Sequence, residues 1–172
     1  MMKRIFTAST IALLLFFTSC SDDDKATGEV TTNHLTVKVD GVQKSFSDVR
    51  GRWVDGGNYL EITATNNGDE WLTFVVMSNS TRVPAGQYSL DDASGFSILS
   101  IYSPNKNNPD LNFTAVSGTT TSEDAYTLHI NTINNSAVNG SFNGRLIINE
   151  GETILGTVTL TDGQFSTTIL PN

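Results

Sequence analysis

Polar and apolar side chains alternate along almost the whole chain after residue 33. The clearest run is residues 137–148, where Val138, Phe142 and Leu146 fall on one face with glycines between them, and polar side chains take the other face. A period of two places successive side chains on opposite faces of a β-strand, and no window of about eleven residues has the period of a helix. The pattern predicts about ten strands near residues 34–39, 42–46, 49–54, 59–65, 71–77, 86–90, 96–102, 111–116, 125–133 and 137–148, with two more at 153–161 and 164–170.

Turn-forming residues separate the predicted strands. Asp40-Gly41 and Asp162-Gly163 each lie between alternating runs, and Asp-Gly supplies the positive φ angles of a two-residue hairpin turn. Three more reversals are predicted at residues 55–58, 66–69 and 150–151. Short strands with turns at this spacing predict one all-β domain over residues 34–172, an antiparallel β-sandwich or a barrel-like fold.

Pairing across the turns at 55–58 and 66–70 assigns the side chains of three strands to two faces. The core face carries Trp53, Leu60, Ile62, Leu72, Phe74 and Val76. The interior is also predicted to include Phe142, Leu146, Val158, Leu160 and Phe165. On the other face Arg52 lies opposite Glu61, together with Val54, Tyr59, Trp71, Val75 and Met77. That second face is too apolar to be only a solvated surface.

The amino-terminal residues have the order of a secretory signal peptide, with Lys3 and Arg4 followed by an apolar stretch that is densest at residues 11–17. The stretch is too short to span a bilayer, which needs roughly 20 apolar residues. We therefore expect residues 1–19 to be removed as a signal peptide.

Cys20 is the only cysteine in the chain, and it falls where cleavage is expected. The sequence Phe-Thr-Ser-Cys at residues 17–20 resembles a bacterial lipobox, in which the cysteine is acylated and becomes the first residue of the mature protein. Several acyl chains on one cysteine suffice for stable membrane anchoring. We therefore expect a lipid anchor at Cys20 and a lipidated acidic tether over residues 20–33. The alternative is an ordinary secreted protein with a free thiol.

Three segments near the carboxyl terminus share a pattern: "AYTLHINTI" (125–133), "VNGSFNGRL" (138–146) and "TVTLTDGQFS" (157–166). Together they resemble the carboxyl-terminal half of an uncharacterised family of Bacteroidota lipoproteins, which have a V-x-G-x-F strand followed by a T-x-G-x-F hairpin. "VKVDG" (37–41) and "GQYSL" (86–90) are similar to earlier strands of that family. The resemblance implies a β-rich exported domain and supplies no catalytic residues.

Charge bears on location and partners. Loss of Lys3 and Arg4 with the signal peptide changes the formal net charge from −8 to −10, which argues against nucleic acid and anionic lipid as partners. The run "SDDDK" at residues 21–25 is typical of an extended, solvated tether. Surface lipoproteins of the Bacteroidota often carry such an acidic run. We therefore expect an outer-membrane, lipid-anchored protein that faces outward rather than into the periplasm.

Candidates for catalysis and metal binding are sparse. His34 lies at the end of the tether, His129 falls on the solvent side of its strand, and no nucleophile-elbow pattern is present. Zinc lacks ligands, and the acidic pairs at residues 69–70 and 91–92 lack the spacing of a dedicated calcium loop. Only Glu61 lies well inside a predicted strand, whereas a glycosidase needs two carboxylates. We expect no metal, no cofactor and no enzymatic activity.

Two functional hypotheses follow from the second face. In the first, the protein is a non-catalytic binding module for a glycan, a peptide or a partner protein, with Tyr59 and Trp71 stacking on the ligand and Arg52 and Glu61 making polar contacts. In the second, it is a structural or accessory subunit of an outer-membrane complex, with the face covered by a partner or by loop 78–95, which carries Val83, Tyr88 and Leu90. A glycan-active hydrolase is a third, weaker hypothesis.

Overall fold

The computed structural model describes residues 32–90, 94–116 and 126–170. The predicted signal peptide, Cys20 and residues 20–31 of the tether lie outside these ranges. The strands are β1 (His34–Val39), β2 (Val42–Phe46), β3 (Asp48–Val54), β4 (Tyr59–Asn66), β5 (Glu70–Ser78), β6 (Gly86–Ser89), β7 (Phe96–Ser103), β8 (Phe113–Val116), β9 (Tyr126–Ile133), β10 (Ala137–Glu150) and β11 (Thr153–Leu170). Short 3₁₀ turns occupy Asp55–Gly57 and Pro109–Leu111. Among the described residues no helix is long and apolar enough to cross a membrane.

Backbone hydrogen bonds join these strands into one sheet that closes on itself. The order is β2-β1-β11-β3-β4-β5-β7-β8-β10-β9-β6, and β10 also pairs with β11. That additional pairing closes a ring of β11, β3, β4, β5, β7, β8 and β10. The described pairings are antiparallel except for β11 with β3. The predicted all-β domain with a sandwich or barrel-like architecture is confirmed.

The predicted register of β3, β4 and β5 is also confirmed. Arg52 pairs with Glu61, and Ile62 pairs with Phe74. The register follows from the turns: Asn67 and Gly68 both take positive φ between β4 and β5, and the Asp55–Gly57 turn joins β3 to β4. A turn of defined length leaves one register in which the apolar side chains share a face.

The predicted hairpin turn at Asp162-Gly163 is wrong. Asp162 has the positive φ that a turn requires (54°), but β11 continues through it. Along β10, Phe142 pairs with Gly163 and Gly144 pairs with Leu160, so one extra residue of β11 is accommodated in a β-bulge. A left-handed residue suits both a hairpin turn and a bulge, and the two predicted strands here pair with β10 and β1 rather than with each other.

The V-x-G-x-F and T-x-G-x-F patterns meet across β10 and β11. Gly140 pairs with Phe165, and Phe142 pairs with Gly163, so each ring lies over the glycine of the opposite strand. A Cβ on Gly140 would lie 2.7 Å from the Phe165 ring and 2.2 Å from the carbonyl oxygen of His129. A Cβ on Gly163 would lie 2.6 Å from the Phe142 ring. Both glycines are therefore required by close packing within the strands.

The rings of four strands meet at the centre of the core. Phe74 lies 4.9 Å from Phe165 and 5.4 Å from Phe142, centroid to centroid, and Tyr126 stacks 6.5 Å from Phe142. Every residue predicted for the interior is buried: Trp53, Leu60, Ile62, Leu72, Phe74, Val76, Phe142, Leu146, Val158, Leu160 and Phe165.

Candidate functional site

The closed sheet has two outer surfaces of different chemistry. Across β6, β9, β10, β11, β1 and β2, the cross-strand pairing aligns a row of polar side chains: Gln87, His129, Ser141, Gln164, Thr36 and Ser45. Asn139 and Thr132, one row along, are joined by a side-chain hydrogen bond. A surface of this composition is solvated and has little apolar area to offer a ligand.

The outer surface of β3, β4, β5 and β7 carries apolar side chains that are only half buried. They are Val54, Tyr59, Val75, Met77, Leu99 and Ile101, and we call this surface the apolar face. Val54 pairs with Tyr59 and Val75 pairs with Leu99, so the apolar side chains are contiguous across the strands. Large contiguous apolar patches on an outer surface mark interaction sites, and this face has the composition of such a patch although its side chains are half buried.

Arg52 and Glu61 form a bidentate ion pair in the middle of the apolar face. Arg52 Nε donates to Glu61 Oε1 at 2.7 Å and Nη2 donates to Oε2 at 3.0 Å. The hydrogen bond, followed by the charge of the carboxylate, raises the pKa of Arg52. Both Glu61 oxygens are occupied, which makes this carboxylate a poor general base and a planar polar contact instead.

Tyr59 and Trp71 lie at opposite ends of this surface. Tyr59 pairs with Val54, whereas Trp71 pairs with Thr65. Thr65 lies six steps along β4 from Tyr59, which is about 20 Å at about 3.3 Å per step. The structure therefore brings Tyr59, Arg52 and Glu61 together and places Trp71 apart from them. One small ligand cannot contact both rings.

Trp71 forms one wall of a separate groove of about 240 Å³, which we call the Trp71 groove. The groove is also lined by Asp48, Arg50, Thr63, Thr65 and Gly68. The Trp71 side chain is 36% exposed, and its indole Nε1 donates to the carbonyl oxygen of Gly68 at 3.1 Å, which fixes the ring. Arg50 donates twice to Asp48, at 2.9 and 3.2 Å. A fixed, half-exposed ring therefore stands beside a planar ion pair and two threonines.

Loop 78–95 does not supply the predicted cover for the apolar face. Val83, Tyr88 and Leu90 are buried in the main core with Trp53, on the inner side of the sheet. Tyr88 belongs to β6, which pairs with β9 on the polar side of the molecule. Since the apolar side chains of the loop are used in the core, the described part of this loop leaves the apolar face half exposed.

A buried polar cluster that the sequence pattern missed lies at the start of β5. Tyr102 donates to Glu70 Oε1 at 2.6 Å, and Lys44 Nζ lies 3.0 Å from the same oxygen. Burial, followed by the hydrogen bond to Glu70, raises the pKa of Tyr102, so the phenol remains a donor at neutral pH. Lys44 lies on the edge strand β2, so the cluster ties this edge to β5 and β7. Its role in the fold is structural.

The remaining candidates for chemistry stay apart. His129 pairs with Ser141 across β9 and β10, but the flanking residues of that row, Gln87 and Gln164, are amides rather than carboxylates. Within the described ranges no three His, Cys, Asp or Glu side chains are grouped to hold a metal ion. Residues 91 and 92 of the second acidic pair lie outside those ranges.

Comparisons of the chain with protein-family models, with curated proteins and with solved structures find no match.

Proposed function

We propose that the protein is a non-catalytic binding module whose ligand lies along the apolar face and the adjoining Trp71 groove. The observation that carries the proposal is the half-exposed Trp71 ring, which is held by the hydrogen bond to Gly68 and flanked by the Arg50–Asp48 pair. An aromatic ring in a groove with a few polar groups has the composition of a recognition site. The apolar and polar faces of the sheet differ, which favours this side for the ligand.

A glycan fits the chemistry of this surface best. A sugar presents one face of C–H bonds, which packs on an indole ring, and a rim of hydroxyl groups, which hydrogen bond to planar carboxylate and guanidinium groups. The Arg50–Asp48 and Arg52–Glu61 pairs lie along the same outer surface and expose such groups. The distance of about 20 Å between Tyr59 and Trp71 suits an extended chain that contacts both rings.

The test compares two aromatic substitutions on this surface. Trp71→Ala is expected to weaken capture of a glycan found on an array by about ten-fold, because a stacked ring contributes roughly 1 kcal/mol or more. Tyr59→Ala is the matched control: it lowers the affinity for long glycans and leaves that for short ones unchanged. Thermal melts show whether each variant is folded. Folded Trp71→Ala protein with unchanged capture would exclude the groove, and a screen that returns only peptides or proteins would exclude the glycan.

We further propose that Cys20 is acylated and holds the module at the outer surface of the outer membrane. The support is the lipobox-like sequence at residues 17–20 and the acidic run that follows it. Cys20→Ala should release the protein from the membrane fraction. Protease added to intact cells should degrade the wild-type protein. Protection in intact cells with loss in lysed cells would place it on the periplasmic side.

A second candidate function, an accessory subunit of a larger complex, has its own support in the hairpin between β10 and β11. Leu155 has no partner on β10 because Ile148 pairs with Gly156 and Asn149 pairs with Ile154. The bulge leaves Leu155 61% exposed and Ile154 41% exposed, beside a groove of about 470 Å³. Cross-linking in whole cells would capture a partner at this hairpin, and Leu155→Ser should abolish the cross-link. Binding of glycan without any cross-link would favour the binding module.

A further inference from the structure

A second groove, of about 360 Å³, opens between the loop after β5 and the turn between β9 and β10. Its walls are largely apolar and are formed by Trp53, Val83, Pro84, Ala85 and Ile133, with Arg82, Asn134 and Asn135 at the rim. The volume lies at the lower end of the range of about 300–1,000 Å³ for small-molecule sites. We call it the Arg82 groove. It lies at an end of the core and shares no lining residue with the Trp71 groove.

Arg82 is held in place at the rim. Its guanidinium carbon lies 4.8 Å from the centre of the Trp53 ring, and Nη1 donates to Asn135 Oδ1. A Cβ on Gly57 would come within 3.2 Å of Arg82 Nε, so the glycine allows the guanidinium to approach the backbone here. A guanidinium has five N–H donors, and one of them is used in this contact.

The partners of Arg82 differ from those of five other described cations. Among the described basic side chains, five form an ion pair with a carboxylate: Lys38, Lys44, Arg50, Arg52 and Lys106. Arg82 instead contacts an indole ring and an amide oxygen, and no described carboxylate pairs with it. In a chain of formal net charge −8, acidic side chains outnumber basic ones, so an arginine beside an apolar groove that pairs with no carboxylate of the described ranges stands out.

One hydrogen-bond donor of a residue that lines the groove has no described acceptor. The Nε1 donor of Trp53 is buried and has no partner among the described residues. The Trp53 side chain is itself only 6% exposed. Buried donors are almost always paired in native proteins, so this one marks a position where an acceptor is expected.

We propose that the Arg82 groove binds the carboxylate of a small acid with an apolar body. The carboxylate pairs with Arg82 in the planar, bidentate geometry that guanidinium groups favour, and the unpaired Nε1 of Trp53 is the second donor to one of its oxygens. The apolar body packs on Val83, Pro84 and Ile133. The groove offers few polar groups beyond Arg82 and the two asparagines, which disfavours a hydroxyl-rich sugar at this site. The proposal is independent of glycan binding at Trp71.

The test uses N-acetyl-phenylalanine and its neutral analogue N-acetyl-phenylalaninamide. The chain has two tryptophans, so a ¹⁵N–¹H correlation spectrum contains two indole N–H signals, and Trp71→Phe assigns the one from Trp53. The acid is expected to shift the Trp53 signal in a saturable way at millimolar concentration, while the amide leaves it in place. The Trp71 signal stays unchanged and reports separately on the first groove.

Two variants define the role of the charge. Arg82→Gln is expected to abolish the shift, and Arg82→Lys, which keeps the charge but loses the planar fork, to weaken binding several-fold. Lys106→Gln, which removes a cation outside the groove, is the matched control and should bind like the wild type. Thermal melts and the dispersion of the remaining signals verify folding. Equal shifts from the acid and the amide, an undiminished shift in Arg82→Gln, or no shift at all would each overturn the proposal.

Discussion

Replacing Phe142 with alanine removes a ring at the centre of the aromatic core. Phe142 lies on β10, is 2% exposed, and contacts the rings of Phe74, Phe165 and Tyr126 at centroid distances of 5.4, 6.4 and 6.5 Å. The ring also covers Gly163 on β11, so its loss opens a cavity against backbone that cannot close without moving a strand. Truncation of a buried phenylalanine costs about 3–5 kcal/mol.

Urea denaturation followed by far-UV circular dichroism measures this cost. With a slope of about 2 kcal/mol per molar, a loss of about 4 kcal/mol lowers the urea midpoint by about 2 M. Domains of this size have about 5–15 kcal/mol of stability in total, so the variant should still fold. Phe113→Ala is the matched control, because Phe113 is half buried at the edge of the core, 6.3 Å from Tyr102, and should lose less than half as much. A loss below about 1 kcal/mol for Phe142→Ala would refute the packed core.

Three further predictions concern the strand glycines, the buried ion pair and alkaline pH. Gly163→Ala should destabilise the domain, because the new Cβ lies 2.6 Å from both the Phe142 ring and the Phe142 carbonyl oxygen. The substitution should therefore also destabilise the Phe142→Ala variant, in which the ring is absent. A double variant as stable as Phe142→Ala alone would show that the clash is with the ring only. Lys44→Met should lower the free energy of unfolding by about 1–3 kcal/mol in urea melts, because it leaves the buried Glu70 carboxylate without its cation. Lys38→Met, at the exposed pair with Asp162, should lower it by less than about 1 kcal/mol. Equal losses of stability in the two variants would contradict the difference in burial. Burial raises the pKa of Tyr102 and Tyr126. The stability that these phenols contribute is therefore complete below the unfolded-state pKa of about 10 and is lost as pH rises towards the higher folded-state pKa. Melts at pH 8 and pH 11 should show this loss of stability, and Tyr102→Phe should reduce it.

Tyr126 shows why burial governs this alkaline response. The Tyr126 hydroxyl is buried without a hydrogen-bond partner among the described residues, so its ionised form has no compensating donor. The nearby Ser100 hydroxyl lowers the pKa of Tyr126 in part, but it lies outside hydrogen-bond geometry and does not offset the desolvation. Stability is expected to fall with increasing pH in this range because the unfolded state loses the proton first.

The core and the register of the first hairpins were predictable because each depends on local information. Alternation assigns Phe74 and Trp53 to the interior, and the turn at Asp55–Gly57 sets which residues of β3 and β4 face each other. The bulge at Asp162 was not predictable in this way. Its backbone angle follows from Asp-Gly, but the choice between a turn and a bulge depends on the neighbours β1 and β10, which are distant in the sequence.

The candidate sites show the same division. Alternation placed Tyr59 and Trp71 on one outer surface, and the predicted register already sets Trp71 opposite Thr65, six steps along β4 from Tyr59; grouping the two rings by face alone overlooked that distance. Glu70 follows a turn and has the pattern of a solvated loop residue; its burial depends on Lys44 and Tyr102 from other strands. Arg82 lies in a loop whose sequence gives no indication of Trp53 or Asn135 as its neighbours.

The two grooves divide recognition between surfaces of different origin. The Trp71 groove is built on β3, β4 and β5, whose register is fixed by short turns, and its polar groups include the doubly hydrogen-bonded Arg50–Asp48 pair. The Arg82 groove lies between a loop and a turn, and its cation is held by one hydrogen bond and one ring contact. Ion-paired polar groups favour selection of a ligand by shape, whereas a guanidinium that no described carboxylate pairs with favours selection by charge. Affinity at the Arg82 groove should therefore fall with rising salt more steeply than affinity at the Trp71 groove, because only the former depends on one net charge.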